Sequence, residues 1–329
     1  MKKTIAALAI AISATAAQAQ VPAEYQVAPW HGFSNCAITY SFDDLCANQL
    51  PIAIPMMDKY NVKGTLNIIT SWVKPEQWAQ VKDAAQRGHE IASHTISHPN
   101  MAELSVDEFE RQQRDSKKIL EEKTGAEVVT MVYPYCVTTH EDITAKYYIG
   151  ARICDGRIEP HTPKEMMKIS SLGVGSESKH NSSEALNKWV DEGARENGWC
   201  TFLIHGIDDD GGYSPIKSSE LEAHIKYVAG NPRKFWPATF AQVCKYLMER
   251  NALQIDEQAQ KKGFLITAKC NASSSLTTLN EPVTISRTLP EGWKSAAITC
   301  GKEKVSSRIE NGKVIFDVVP GKSYSIRKK

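Results

Sequence analysis

Two adjacent carboxylates stand at the end of an apolar run in this sequence. Asp43 and Asp44 follow "CAITYSF", a stretch typical of a buried strand. Two acids this close repel each other unless a cation or a proton gives them different roles. The pair therefore predicts either a cation site or a polar turn, and the residues able to supply further ligands decide between the two.

Two histidines are the first candidates for those further ligands. His94 and His98 lie four residues apart in "HTISH", directly after the strand-like "EIAS". On one helical turn these positions share a face, so two imidazoles could reach one metal ion. An isolated pair at this spacing is more often a polar loop. With one carboxylate of the acid pair, however, it makes a two-histidine, one-carboxylate site with positions left for water and substrate.

A third histidine ends another apolar run. His205 closes "FLIH", where a lone histidine is more often structural than catalytic. If this run is a strand parallel to the first, His205 lies on the same rim of the sheet as the acid pair. A metal, a spare carboxylate and an imidazole are the parts needed for metal-assisted hydrolysis.

The elements that must position these side chains alternate between two kinds from about Trp30 to Asn251. Apolar runs alternate with amphipathic, capped segments, which predicts βαβ units around a parallel sheet or barrel. Such folds place their chemistry in loops at the carboxyl ends of strands, where the acid pair stands. The predicted strands are "AITYSF", "GTLNII", "EIASH", "VVTMVYP", "IGARIC", "CTFLIH" and "FWPAT". The predicted helices lie within 75–88, within 105–125 with Ser105 and Glu108 as a capping box, and around 219–230 with Ser219 and Glu222 as another.

The pattern changes towards the carboxyl terminus. Short alternating runs, separated by Gly, Pro and Asn, occupy 263–329 and predict a small all-β sandwich. The preceding polar stretch, 255–262, is predicted to be a linker. The predicted (β/α) barrel therefore covers 20–254.

The amino-terminal residues predict export. Residues 1–19 have two lysines, a short Ala/Ile-rich run and a small-x-small motif, so a bacterial signal peptide cleaved after Ala19 is expected. The protein is thus expected to be secreted or periplasmic. No other stretch is apolar enough to span a membrane, and a net charge of +1 gives no electrostatic reason to expect nucleic acid as a partner. A serine esterase is disfavoured because no GxSxG occurs.

Eight cysteines in an exported chain permit disulfides. Cys270 and Cys300 are the two cysteines of the β-rich segment, each near the end of a predicted strand, and we expect them to pair with each other. The six cysteines of the barrel segment are left unassigned.

Several of these motifs, taken in order, resemble a known family. "SFDD", "GHEIASHTISHPN", "VYPY" and "LIH", spread over about residues 30–250, look like the polysaccharide deacetylases of carbohydrate esterase family 4 (the NodB homology domain). The resemblance implies a distorted (β/α) barrel and a divalent metal, usually zinc. It also implies hydrolytic removal of acetyl groups, as amides or esters, from a sugar polymer or oligomer.

The resemblance also implies a role for each matching residue. It makes Asp43 the general base and His205 the general acid, while the backbone N–H of Tyr135 stabilises the tetrahedral oxyanion. The implied metal ligands are Asp44, His94 and His98. Leu203 and Ile204 would shape the pocket for the acetyl methyl group, or simply belong to the strand core.

One position departs from the family pattern. The third motif usually carries an arginine three residues before its aromatic, where it holds the catalytic base, but here that position is Val132. Another strand must then supply the charge. We predict that Arg152, near the carboxyl end of "IGARIC", orients Asp43.

Two other classes of function remain open. The same fold can carry a cyclic-amide hydrolase, although export argues against an intracellular metabolite as substrate. A sugar-binding protein that has lost catalysis is the other alternative, against which the intact set of acids and histidines argues. Trp72 and Tyr213 could stack on sugar rings or merely pack at the rim, and the sequence does not indicate which sugar binds or whether an N- or O-acetyl group is removed.

Overall fold

The computed structural model describes residues 20–329, so the predicted signal peptide at 1–19 lies outside the described residues. Within the described residues, no helix is both long enough and apolar enough to cross a membrane. The first strand, β1 (Tyr25–Val27), pairs with a strand far along the chain. The barrel strands follow it: β2 (Cys36–Asp43), β3 (Thr65–Ile68), β4 (Glu90–Ser93), β5 (Thr130–Val132), β6 (Gly150–Arg152), β7 (Leu172–Gly173), β8 (Trp199–Ile204) and β9 (Phe235–Pro237).

The barrel sheet is parallel throughout and curls back on itself. Its order is β6-β5-β4-β3-β2-β8-β7, with β9 also beside β2. The N–H of Ile153 donates to Ile169 O (2.8 Å) and that of Ile169 to Ala151 O (2.9 Å), so the segment before β7 pairs with the β6 edge. This confirms the predicted distorted (β/α) barrel. Because all these strands are parallel, their carboxyl ends share one rim.

The strand β2 lies near the centre of this sheet. All eight of its residues are buried, as expected for a parallel strand covered on both faces. Its register with β3 sets Asp43 opposite Asn67, and its register with β8 ends at Phe42 opposite Ile204. The acid pair and His205 therefore leave neighbouring strands at the same level.

Helices surround this sheet, and two of them begin where the sequence predicts a capping box. Gly125 ends the helix at φ 74°, as predicted, and Ser105 accepts a hydrogen bond from the Glu108 N–H (3.3 Å). The return bond of the predicted capping box is absent from this helix, because the Glu108 carboxylate accepts from Arg111 and Gln112 instead. The predicted capping box at Ser219 is wrong. That helix spans Ser218–Ala229, so Ser219 lies inside it, and the Ser218 N–H donates to Asp208 Oδ1 (2.8 Å). The bounds are α1 (Ile54–Lys59), α2 (Gln77–Gln86), α3 (Val106–Thr124), α4 (Glu141–Thr144), α5 (Ser183–Glu196), α6 (Ser218–Ala229) and α7 (Phe240–Ala252). Short 3-10 or π turns lie at His31–Phe33, Gln49–Ala53, Thr70–Trp72, Met101–Glu103, Pro134–Cys136 and Met166–Lys168.

Two antiparallel sheets follow the barrel and share one core. Apolar residues from both sheets, such as Phe316 and Ile266, form this core, as the predicted sandwich requires. The strands are β10 (Leu253–Gln260), β11 (Gly263–Cys270), β12 (Val283–Thr288), β13 (Ala296–Cys300), β14 (Glu303–Val305), β15 (Ser307–Glu310), β16 (Lys313–Val318) and β17 (Ser323–Lys328). Their orders are β1-β12-β16-β15 and β10-β11-β17-β13-β14.

The predicted linker at 255–262 is wrong. Most of it belongs to β10, which pairs with β11 from Leu253 to Gln260. Leu253 and Ile255 reach the core, while the later residues of this edge strand are exposed except Glu257, which is half-buried and pairs with Arg287. The polar residues of this segment therefore belong to the exposed edge strand of a sheet and do not form a linker between domains.

The predicted Cys270–Cys300 disulfide is also wrong. Both cysteines are free, and β17 lies between their strands, β11 and β13. Two strand spacings amount to roughly 10 Å, beyond the Cα separation of about 7 Å that a disulfide can bridge. The disulfide that does form joins Cys136 and Cys154 in the barrel, with Cα atoms 5.6 Å apart.

A buried carboxyl group lies on α7, the helix that precedes the β domain. Glu249 is fully buried, and its Oε2 accepts a hydrogen bond from the Glu281 N–H (2.8 Å). Its Oε1 has no hydrogen-bond partner among the described residues. Burial raises the pKa of Glu249 to about 7, so the folded protein favours the neutral acid.

This carboxyl group predicts a pH-dependent stability. The pKa of Glu249 is higher in the folded than in the unfolded protein. Its contribution to the free energy of unfolding is therefore fully present below about pH 4.3 and is lost as the pH rises to about 7. Glu249→Gln should therefore gain about 2–3 kcal/mol of unfolding free energy over the wild type at pH 8.5, and little at pH 4.5. Urea denaturation at both pH values measures this. Glu303→Gln, at an exposed position, serves as the control, and an equal gain from Glu249→Gln at both pH values would contradict the assignment.

Candidate active site

Asp43 is the best-anchored side chain of the rim. It ends β2 and is 4% exposed. Its Oδ1 accepts from Asn67 Nδ2 (2.7 Å) and its Oδ2 from Arg152 Nη2 (2.5 Å). Burial alone would favour the neutral acid, but the charge of the Arg152 guanidinium and its hydrogen bond outweigh it and lower the pKa of Asp43. Asp43 is therefore a fixed, ionised carboxylate.

The contact between Arg152 and Asp43 is the one expected from the sequence, whereas the role of Arg152 in turnover stays a prediction. Arg152 ends β6, is buried, and also donates to Ser171 Oγ through Nη1 (3.0 Å). Val132, which stands where the family usually has its arginine, pairs in register with Arg152 on the next strand. The guanidinium thus reaches Asp43 from β6, the strand beside the one that carries Val132.

The predicted metal ligands come together at the rim. One candidate ligand atom from each of Asp44, His94 and His98 lies within 4.8 Å of the others. His94 Nε2 is 3.4 Å from Asp44 Oδ1, and that oxygen is buried with no hydrogen-bond partner among residues 20–329. A buried, unpaired carboxylate oxygen facing an imidazole nitrogen is a place where a cation fits.

The helical turn expected for the two histidines is absent from this described segment. His94 follows β4 directly, and His98 lies in a loop where Thr95 (φ 69°) and His98 (φ 58°) adopt left-handed backbone conformations. The N–H groups of Ile96 and Ser97 both donate to Gln112 Oε1 on α3 (2.9 and 3.1 Å), which holds the loop off a helical path. The loop still brings the rings together, with centroids 4.6 Å apart.

The protonation state of His94 suits a metal ligand. Its Nδ1 lies 3.0 Å from Val132 O, a group that can only accept, so Nδ1 carries the proton and Nε2 is left unprotonated. Burial lowers the pKa of His94 to about 4, which keeps the imidazole neutral. Metal-binding histidines typically donate their second ring N–H in this way. Two imidazoles and one carboxylate with this arrangement fit a divalent metal such as zinc.

The two adjacent acids differ in their electrostatics. Burial, and then the charge of Asp43, raise the pKa of Asp44 to about 7 when no cation is near, whereas the pKa of Asp43 is lowered. Asp44 also has a left-handed backbone (φ 71°), which is uncommon outside glycine and is often found at functional sites. Of the two acids, Asp44 is therefore the one whose ionised form a nearby cation would stabilise more.

His205 lies across the site from these ligands. It follows β8 immediately, and its Nε2 is 3.9 Å from Asp44 Oδ2. Burial lowers the pKa of His205; the charge of Asp43 opposes this shift and that of Arg152 adds to it. Gln49, fully buried, donates through Nε2 to both Asp43 O (2.6 Å) and His205 O (2.9 Å). This amide ties together the ends of β2 and β8, a contact that the sequence analysis missed.

Tyr135 lies in the turn that follows β5. Its backbone is left-handed (φ 54°), and its N–H has no hydrogen-bond partner within the described part of the chain. The ring is 65% exposed and its centroid is 4.6 Å from that of His98. The N–H of Tyr135 thus lies beside the candidate metal ligands and makes no hydrogen bond within the described residues.

These groups line one pocket of about 620 Å³. Of the predicted catalytic residues and metal ligands, all but Arg152 line it, and Arg152 bonds to Asp43. Leu203 also lines it, while Ile204 does not. The remaining lining residues are Tyr133, Cys136, Cys154, Gly173, Val174, Glu177, Ser178, Tyr213 and Ser214.

The aspartates of the loop after His205 have structural contacts that the sequence analysis did not assign. Asp210 accepts from the Gly212 N–H through Oδ1 (2.9 Å) and from the Asn48 N–H through Oδ2 (3.1 Å). Together with the Asp208 cap, these bonds pin the loop that carries Tyr213, whose ring lies 5.2 Å from His205. Short acidic side chains that bond to nearby N–H groups are typical of such loops.

Comparison with known proteins is consistent with this geometry. Residues 33–152 match the sequence model of the polysaccharide deacetylase family. A gellan lyase from Bacillus sp. is 25% identical over 324 residues, covering 90% of this chain and 13% of that protein. A peptidoglycan-N-acetylglucosamine deacetylase from Bacillus cereus is 31% identical over 97 residues, covering 28% of this chain and 34% of that protein. The chain thus spans only a minor part of the length of these relatives.

A solved structure shares the fold. A Mycobacterium smegmatis protein described as a polysaccharide deacetylase aligns with a TM-score of 0.54 at 15% identity, over 68% of this chain and 95% of that one. At this identity the likeness concerns the fold alone. With the family match, the resemblance predicted from the sequence is confirmed.

Proposed function

We propose that this protein, whose residues 33–152 match the polysaccharide deacetylase family, is a metal-dependent hydrolase that removes acetyl groups from a carbohydrate polymer or oligomer. The observation that carries the proposal is the cluster of Asp44, His94 and His98, with ligand atoms within 4.8 Å of one another beside an anchored free carboxylate. These three residues would hold the metal, with zinc the first candidate.

The chain's own residues supply the proton transfers. A bound metal would make a water molecule more acidic and polarise the acyl carbonyl. Asp43, ionised and held at both oxygens, accepts a proton from the attacking water. The backbone N–H of Tyr135 donates to the oxygen on which negative charge develops. His205 protonates the leaving nitrogen or oxygen, and its lowered pKa makes the imidazolium a stronger acid.

The rim of the pocket suits a sugar chain better than a small cyclic amide. Three large aromatic side chains at or beside it are exposed: Tyr135 (65%) and Tyr213 (64%), which line it, and Trp72 (53%), which does not line it. Each is close to a site histidine, Trp72 and Tyr135 to His98 and Tyr213 to His205. A cluster of exposed aromatic rings beside one pocket indicates a binding surface, because monomeric proteins rarely expose large apolar patches that have no binding role.

Two features support the proposed place of action. The signal peptide expected from the sequence at 1–19 would direct the chain out of the cytoplasm. The Cys136–Cys154 disulfide is typical of proteins in oxidising compartments. We therefore propose action in the periplasm or outside the cell.

The substrate screen that tests this function measures acetate release from acetylated xylan, chitin oligomers and peptidoglycan by the zinc-loaded protein. Release from at least one of them, abolished by a chelator and restored by zinc, is the expected result. A cyclic amide in the same screen tests the alternative function. Turnover of the cyclic amide without any acetate release would replace the proposed function by that of a cyclic-amide hydrolase.

Arg152→Lys should lower kcat about 10- to 100-fold with bound metal unchanged. Lysine keeps the charge but cannot reach Asp43 and Ser171 with a rigid fork, and a displacement of the base by about 1 Å can cost ~100-fold. Steady-state kinetics and metal analysis measure this. Arg195→Lys, on an exposed helix surface, is the matched control, and wild-type kcat in Arg152→Lys would mean that Asp43 needs no arginine.

A further inference from the structure

The barrel disulfide lies inside the pocket that holds the proposed active site. Both Cys136 and Cys154 line this pocket. Cys136 directly follows Tyr135, the residue whose N–H is free, and Cys154 comes two residues after Arg152, which holds Asp43. One covalent bond therefore joins the loop of the proposed oxyanion donor to the strand of the residue that orients the base.

The turn that carries Tyr135 has an unfavourable backbone. Tyr135 (φ 54°) and Cys136 (φ 61°) are consecutive non-glycine residues in the left-handed region. This conformation is unfavourable for a residue with a Cβ atom, and it persists only when the surroundings hold the residue there.

The backbone hydrogen bonds of this turn do not fix Tyr135 and Cys136 to the rest of the barrel. The Cys136 N–H donates to Tyr133 O (3.0 Å) and the Val137 N–H to Pro134 O (3.2 Å), both within the turn. The last backbone bond from this region to β6 runs from the Tyr133 N–H to Arg152 O (3.2 Å). Beyond it, in the described residues, the disulfide is the tie between the turn and the end of β6.

We propose that the Cys136–Cys154 disulfide positions the oxyanion donor, holding the Tyr135 N–H in its left-handed turn so that turnover depends on the oxidised bond. This inference rests on the proposed deacetylase function. Cys154 is exposed, so a reductant in solution can reach the bond. The other six cysteines are free thiols, so a reductant has this one bond to act on.

The chemistry of opening the bond is simple. A water-soluble trialkylphosphine attacks one sulfur, the S–S bond breaks, and water supplies the oxygen of the phosphine oxide and the protons of the two resulting thiols. The turn then loses its covalent tie to β6, and its two left-handed residues can relax towards ordinary conformations.

The test compares oxidised wild type, phosphine-reduced wild type and a Cys136→Ser/Cys154→Ser variant, all loaded with zinc and assayed for acetate release. Losing one oxyanion donor typically costs 10²–10³ in kcat, and a displaced donor costs less. We expect kcat to fall about 10- to 100-fold on reduction and in the variant, with KM and bound zinc unchanged. Reoxidation should restore the wild type but not the variant. Cys270→Ser/Cys300→Ser, which removes two free thiols of the β domain, is the matched control and should behave as wild type.

Each other outcome has a definite meaning. An unchanged kcat after complete reduction, verified by thiol titration, would overturn the inference and leave the proposed function standing. Loss of zinc, or a rise in KM alone, would also overturn it, because the bond would then support the pocket and not the oxyanion donor. An oxidised wild type that releases no acetate from any substrate would refute the proposed function itself.

Discussion

Replacing His94 with alanine should remove the bound metal and the activity together. His94 Nε2 faces the unpaired Asp44 Oδ1 at 3.4 Å, and its Nδ1–H is fixed on Val132 O, so the imidazole is held ready as a ligand. Without it only Asp44 and His98 remain of the three clustered donors. A three-ligand protein site seldom keeps zinc on two ligands. We expect kcat/KM to fall by at least about 10³-fold, since Lewis-acid and water activation are both lost.

Metal analysis after dialysis, alongside acetate release, measures this effect. His161→Ala is the matched control, because His161 is an exposed histidine of the same barrel. It should keep wild-type metal and activity. Equal metal content in His94→Ala and wild type would show that the metal site lies elsewhere.

Replacing Asp43 with asparagine should separate metal binding from activity. Asparagine has nearly the same shape, so Asp44, His94 and His98 keep their places, but an amide cannot accept the proton of the attacking water. Removing a general base typically costs 10²–10⁴-fold, and we expect about 10³-fold in kcat with metal content unchanged.

The same substitution leaves Arg152 buried without its carboxylate, which should also destabilise the fold by about 3–5 kcal/mol. Thermal denaturation must therefore confirm that Asp43→Asn is folded at the assay temperature. An Asp43→Asn/Arg152→Met variant removes the unpaired charge and serves as the control for stability. Loss of metal from folded Asp43→Asn would make Asp43 a ligand and not a base.

Much of the site could be found in the sequence because several of its residues stand at the end of an apolar run or directly after one. Parallel strands bring their carboxyl ends to one rim, so Asp43, Asp44, His94 and His205 could be placed together before any distance was known. The contact of Arg152 with Asp43 could be anticipated in the same way, because Val132 replaces the usual arginine of the family and β6 lies beside β5, the strand of Val132.

Other features depend on contacts that local pattern does not encode. Gln49 joins Asp43 and His205 only because a π turn folds back over two strand ends that are distant in sequence. The strand β7 has two residues, too few to show any periodicity. The Cys270–Cys300 prediction failed because β17, the last strand of the chain, inserts between their strands. Strand order in an antiparallel sandwich is decided by packing across the whole domain, which spacing alone does not reveal.

The most direct test of a metal-dependent deacetylase centre is a zinc titration of the metal-free wild type. Bound zinc and acetate release are measured on the same samples. The geometry predicts that both rise together and saturate at about one zinc per chain, as a single three-ligand cluster requires. Acetate release at full rate without metal, or saturated zinc binding without any acetate release, would contradict it.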